Sequence, residues 1–290
     1  MPENSTKVPE ETYGRWIEKP VREAHGQLYR RFVVKTHLVR PGERLEKTLS
    51  PYLAGRLHPG DILVLSEKIV AIAEGRAVLL NAVKPRRLAR FLARHVRPLG
   101  YGLGLRRAET MEMAMREAGS LRILVAAAAG ALDRVTGRSG DFYRIAGRRV
   151  AAIDGPGPTT IPPYNRYIVL APDRPENVIG ALVKRFGCRV AVVDVNDVGS
   201  EVLAASVPNG EYRLVQDLMR DNPMGQGAQG TPVAVLRAVV TGERTSEWPR
   251  NVVCLADGWI LPLGGSADAS LKAAQHCTML PEDQSDDPAS

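Results

Sequence analysis

The run CRVAVVDVNDVGS at 188–200 constrains this chain more than any other stretch. Val190, Ala191, Val192 and Val193 are consecutive, apolar and mostly β-branched, which reads as a fully buried strand. The run gives way at Asp194, and Asn196, Asp197 and Gly199 follow at once. Carboxylates and an amide at the end of a buried strand are well placed to hold a hard divalent cation. Such ions take oxygen ligands, and Mg²⁺ shares one or two carboxylates with substrate phosphates. Open α/β sheets also bind ligands beyond the carboxyl ends of their strands. The same residues equally make an Asx-rich turn that ends the strand. Spacing leaves both readings open.

The chain has 290 residues, 44% of them hydrophobic, so it is expected to be globular, with one large or two modest domains. We expect a lead-in over 1–30, a main domain over 31–265 and a largely disordered tail over 266–290, where Ser, Asp, Ala and Pro accumulate. No apolar stretch approaches the roughly 18–20 residues of a membrane span. The N-terminus lacks the charged-then-apolar layout of a signal peptide, and a cytoplasmic location is expected. The three cysteines, Cys188, Cys254 and Cys277, fit neither a zinc pattern nor a disulfide framework and read as buried thiols. The formal charge of +7 raises nucleic acid as a partner. Against it, the basic residues are dispersed among acids, with no basic–aromatic interleaving of the kind that stacks bases. An anionic small-molecule ligand or a plain Arg-rich surface explains the excess as well.

Along the chain, a short helix is expected near Trp16, a strand from Phe32, and a helix over 45–57 after the Pro41-Gly42 turn. ILVLS at 62–66 and IVAIAE at 69–74 read as strands separated by Glu67-Lys68. Helices are expected over 85–96 and 108–118, and a strand followed by a small-residue helix or turn over 121–132. RRVAAID at 148–154 reads as a strand ending in Asp154. A strand at 168–170, a helix over 175–186, a helix over 212–220 and the apolar run 233–240 complete the reading, with one more short helix near 271–276. The stretch DNPMGQGAQGTP at 221–232 stands apart. Its glycines permit backbone N–H groups to approach phosphate oxygens, or simply make a flexible connection.

PGDILVLSEKIVAIAEGR at 59–76, VAAIDGPGP at 150–158, VVDVNDVGSEVL at 192–203 and DNPMGQGAQGTPVAVLR at 221–237 together resemble the coenzyme F420-0:L-glutamate ligases, GTP-dependent gamma-glutamyl ligases. The resemblance covers about 33–240. It implies a mixed α/β (α+β) fold with two lobes and mixed sheets, and a homodimer. It also implies a ligase that uses GTP with Mg²⁺ or Mn²⁺, with K⁺ as a further candidate cation. The substrates implied are L-glutamate and an F420-0-like carboxylate, joined through an acyl phosphate, with no membrane involved.

By motif match, Asp154 and Asp194 fall on the family's metal-binding, catalytic aspartates; Asn196 and Asp197, standing where the family pattern is replaced, could supply other oxygens. Nucleotide contacts fall on Leu38, Arg40 and Pro41, on Glu67 and Lys68, and on Met224, Gly225, Gln226, Gly227, Gln229 and Thr231. The chain departs from the family pattern at three places. Pro156-Gly157 stands for a Ser-Asn pair, Ile72 for a lysine, and the residues after Asp194 lack a threonine ligand. These departures motivate an alternative: a paralogue that binds nucleotide or a deazaflavin-like ligand without turnover.

Overall fold

Two strands joined by a tight turn open the chain. The computed structural model describes residues 13–96, 104–137, 140–157, 160–196, 199–239, 252–255 and 260–262. Asp197, the tail and the helix expected near 271–276 lie outside them. Strand β1 (Trp16–Ala24) pairs with β2 (Gln27–Val34) through His25 and Gly26, both at positive φ, as a two-residue hairpin turn requires. This replaces the helix expected near Trp16. The Trp16 ring packs 5.7 Å from Phe32, and its indole N–H donates to the Tyr52 carbonyl at 3.0 Å, so pairing across the sheet decides the local form.

The helix expected over 45–57 is two short turns, α1 (Leu45–Thr48) and α2 (Ser50–Leu53). Pro51, in the first turn of α2, has no N–H to continue the ladder. After β3 (Ile62–Ser66) comes helix α3 (Glu67–Ala73), where a strand was expected. Ser66 caps it, its hydroxyl accepting from the Lys68 N–H at 3.3 Å. A short apolar run does not distinguish a buried strand from a buried helix, and here the cap decides.

Next come β4 (Ala77–Leu79), α4 (Arg87–His95), α5 (Ala108–Ala118), α6 (Ser120–Thr136), α7 (Asp141–Ala146) and α8 (Arg148–Ala151). Two of these were expected as strands. LRILVAAAAGAL is helical from its start, in keeping with its alanine content. RRVA forms the single turn of α8, and Asp154 follows it as an isolated bridge to Val169 in β5 (Tyr167–Val169), not as the end of a strand. Helix α9 (Pro175–Phe186), β6 (Arg189–Asn196), β7 (Gly199–Ala205), α10 (Asn209–Met219), β8 (Val233–Ala238), β9 (Val252–Leu255) and β10 (Ile260–Pro262) complete the order.

The main sheet has eight strands in the order β1-β2-β8-β3-β6-β7-β9-β10. Its one parallel pair is β3–β6, so the sheet is mixed, as expected. Strand β6 is buried on both faces. Val190 and Val192 enter a core with α1, α2, α3 and α9, while Ala191 and Val193 enter a second core with α10. A third core gathers α4 to α8 beside the small β4–β5 sheet. The fold is therefore mixed α/β, with a sheet lobe and a helical lobe.

Two ion pairs lock the sheet lobe. Arg31, 2% exposed, reaches Asp221 at 2.5 and 3.0 Å and the Leu218 carbonyl at 2.8 Å, tying β2 to the end of α10. Asp61, 1% exposed, accepts from Arg237 of β8 at 2.7 and 2.9 Å. Cys188 is a buried free thiol, pushed up to about 12 mainly by burial. Cys277 lies outside the described residues. Among the described residues no helix is long and apolar enough to cross a membrane.

Candidate functional site

Strand register assembles the site. Val34, Val233, Leu65, Val192 and Ala204 are successive partners across β2, β8, β3, β6 and β7. One or two residues beyond this row, on the same edge, lie the exit of β2, the end of the 224–232 loop before β8, the β3–α3 junction, and Asp194. The β3–β6 pair aligns Ser66 with Val193, so Glu67 and Asp194 each come next along neighbouring parallel strands. Glu201 faces Asp194 directly in the β6–β7 register. These stretches are far apart in sequence, and only the pairing brings them together.

Glu67 is buried, and its Oε2 has no hydrogen-bond partner among the described residues. Burial first, then the charges of Asp194 and Asp154, hold its carboxyl well above the usual carboxylate range. Asp194 is pushed up to about 6 by burial, then by Asp154 and Glu201. No hydrogen bond to its carboxylate offsets this among the described residues. Lys68 is the cation of the cluster, with Nζ 2.7 Å from Asp154 Oδ2. Burial pulls the ammonium down, but Asp154, Glu67 and Asp194 outweigh it, and the net shift is upward. Arg148 of α8 pairs with Glu201 on the rim.

Asp154 hangs on the small sheet through two backbone hydrogen bonds to Val169, at 2.8 and 2.9 Å, and its side chain is half exposed. The sequence placed both aspartates at strand ends. In the fold, Asp194 lies inside β6, two residues before its end, and Asp154 lies in a loop of the other lobe. Lys68 joins them. Asn196 makes a turn, its Oδ1 accepting from the Gly199 N–H at 3.1 Å, so the Asx-turn reading holds for that residue.

A divalent cation fits this cluster by charge. An unpartnered buried carboxyl beside an aspartate that resists ionisation is what a missing counter-charge produces. Asp194, Glu67 and Asp154 are the residues that would hold it. They do not form a closed cage: among the described residues no three carboxylate, histidine or cysteine groups come together as a metal site. Glu67, assigned from sequence to the nucleotide, is buried within electrostatic reach of Asp194 and Asp154. Glu201 was missed, and the alternation of β7 opposite β6 was its only signal.

The nucleotide-side residues also converge. The Thr36 N–H donates to the Gly230 carbonyl at 3.0 Å, and the Ser66 N–H donates to the Pro232 carbonyl at 2.9 Å. Thr36, two residues before Leu38, and Ser66, two residues before Lys68, are thus each tied to the 224–232 loop. Within the loop, Thr231 is buried and donates from Oγ1 to the Met224 carbonyl at 2.7 Å, closing the base; Met224 is buried too. Gly225, Gln226, Gly227 and Gln229 form the exposed tip. Gly225 sits at φ +79°, where the backbone favours glycine; a Cβ there would lie 2.7 Å from the exposed Gln229 amide and displace it. The Gly227 N–H is taken by Gln229 Oε1 at 2.8 Å. That amide must be released before it can meet a phosphate.

No curated protein matches the chain. The family model for F420-0:gamma-glutamyl ligase matches residues 33–201, more than half of the chain and all of the carboxylate cluster, though not the 224–232 loop. The family is one of ligases in F420 biosynthesis, and this chain belongs to it.

Proposed function

We propose that the chain is a GTP- and divalent-metal-dependent ligase. It forms an amide bond between L-glutamate and a carboxylate on a coenzyme F420 precursor or a related acid, through an acyl phosphate. The observation that carries this is Lys68 paired with Asp154 beside the carboxyls of Glu67 and Asp194, at a β3–α3 junction whose Ser66 N–H is tied to Pro232 of the glycine-rich loop.

In the first step a substrate carboxylate oxygen attacks the γ-phosphorus of GTP, and the bond to the β–γ bridging oxygen breaks. In the second, the glutamate nitrogen attacks the acyl carbon, loses a proton, and phosphate leaves with the C–O electron pair. Negative charge gathers on the transferring group, so catalysis here is chiefly positioning and charge stabilisation. Lys68 supplies a fixed positive charge, held in place by Asp154. Asp194 and Glu67 supply carboxylate oxygens, and a bound Mg²⁺ or Mn²⁺ would offset phosphate charge there. The loop tip supplies backbone N–H groups once Gln229 withdraws from Gly227.

The test is phosphate release from GTP with Mn²⁺, glutamate and a panel of deazaflavin carboxylates. Release that requires the carboxylate supports the ligase. The engaged Gly227 amide and Pro156-Gly157 favour one alternative, a paralogue that binds ligand without turnover. GTP binding with no release under any substrate assigns that reading instead. We also propose a homodimer, and sedimentation showing only monomer at micromolar concentration would oppose it.

A further inference from the structure

Two residues past Asp154, Pro156 helps to wall a cavity of about 410 Å³. That volume lies within the range of small-molecule sites. Leu79 and Leu80, at the end of β4, provide apolar wall, while Arg107, Asn165 and Arg166 provide polar wall. Helix α5 starts from Arg107, so the N–H groups of its first turn, which lack acceptors within the helix, begin at this wall.

The two arginines differ from many others in the chain. Arg76, Arg86, Arg149, Arg189 and Arg237 each grip a carboxylate. Neither the Arg107 nor the Arg166 guanidinium has an ion-pair partner among the described residues. Two further polar atoms nearby are also unfilled. Asn165 Oδ1, and Thr110 Oγ1 in the first turn of α5, are buried without hydrogen-bond partners among the described residues. Of the two, the Thr110 hydroxyl has a proton to donate to an anion, whereas Asn165 Oδ1 accepts only and calls for a donor. Thr110 also approaches the Asp154 side of the cavity, 3.6 Å from where a Cβ on Gly155 would stand.

We propose that this cavity is an oxyanion receptor. Arg107 and Arg166 bind a carboxylate or phosphate group of a small ligand whose other end reaches Asp154. Guanidinium forks match both anions in two-point geometry, and the helix start adds to the same field. The inference rests on the ligase reading only for what happens at the Asp154 end. The apolar wall of Leu79 and Leu80 accommodates the carbon skeleton that carries the anion.

The test is calorimetric titration of the full chain, without nucleotide, using L-glutamate and, separately, inorganic phosphate. The variants are Arg107→Gln, Arg166→Gln, the double variant, and Arg107→Lys with Arg166→Lys. Charge-assisted hydrogen bonds of this kind predict about tenfold weaker binding for each glutamine substitution. The double variant loses more, and the lysine pair recovers only part. The glutamine variants should keep the wild-type melting temperature, because they remove no ion pair. Glutamate binding with this pattern assigns a carboxylate-bearing ligand, and phosphate binding with this pattern assigns a phosphate-bearing one. If the wild type binds neither anion, or the double variant binds as tightly as wild type, the receptor is refuted. A chain that binds the anion through these arginines yet never consumes GTP keeps the receptor and loses the ligase. A working ligase whose substrate KM is unmoved in the double variant does the reverse.

Discussion

Replacing Asp194 with asparagine should stabilise the metal-free protein, and only above a certain pH. The side chain keeps its shape and loses its charge. In the fold its carboxyl titrates at about 6, against an ordinary value of 3.8. A raised carboxyl binds its proton more tightly folded than unfolded. Its contribution to stability is therefore complete below pH ~4 and is lost as pH rises through about 6. The gap corresponds to about 3 kcal/mol at the upper limit, and solvent at the rim brings the expected figure to about 1–3 kcal/mol. For a domain of this size that is roughly 3–8 °C in Tm. The Asp194 charge also helps to hold the Glu67 carboxyl well above its ordinary range, so the substitution relieves Glu67 as well. The assay is thermal unfolding of wild type and Asp194→Asn from pH 4 to 8, with and without Mn²⁺. The two should melt together at pH 4, and the variant should melt higher at pH 8. Excess Mn²⁺ should raise the wild type by mass action and the variant much less. A variant that melts lower at pH 8, or a gap independent of pH, refutes the reasoning.

Other substitutions separate the site from its scaffold. Lys68→Met should abolish GTP-dependent phosphate release and lower the metal-free Tm at pH 8, since it leaves three carboxylates without their cation; phosphate-release and melting assays check both. Gly225→Ala should cost roughly 1–2 kcal/mol, because the left-handed backbone opposes a Cβ, and nucleotide titration should weaken alongside as the Gln229 side chain is displaced. Asp61→Ala strands Arg237 and should cost about 3–5 kcal/mol in urea unfolding while leaving metal affinity in the folded protein unchanged. Arg31→Met removes the tie to Asp221 and should cost about 2–3 kcal/mol by the same assay.

The buried strand at 190–193 was legible because an unbroken β-branched run between turn residues leaves few alternatives. The helices α5 and α9 were legible for the same kind of reason: clear periodicity between Gly or Pro boundaries. Where apolar runs lacked such punctuation, strand and helix could not be separated. That is why IVAIA, LRILVAAAAGAL and RRVA were misjudged. Ser66 as a cap and the alanine content of α6 were the available signals. Asp194 and Lys68 could be singled out as residues, but their meeting depends on the register of β3 against β6, which no local pattern encodes. The same holds for Glu201 and for the hydrogen bond that sets the Thr36 turn beside Gly230. Long-range pairing decides such geometry, whereas composition decides only which residues are available for it.

The central claim is that this edge forms an amide bond at the expense of GTP. Mass spectrometry of a reaction containing the full chain, GTP, Mn²⁺, L-glutamate and deazaflavin carboxylates tests it most directly. The account predicts a product heavier than the acceptor by one glutamyl residue, formed with matching GDP, and absent with Asp194→Asn or Lys68→Met. Unchanged acceptors across the panel, or an Asp194→Asn variant that makes product at the wild-type rate, would contradict it.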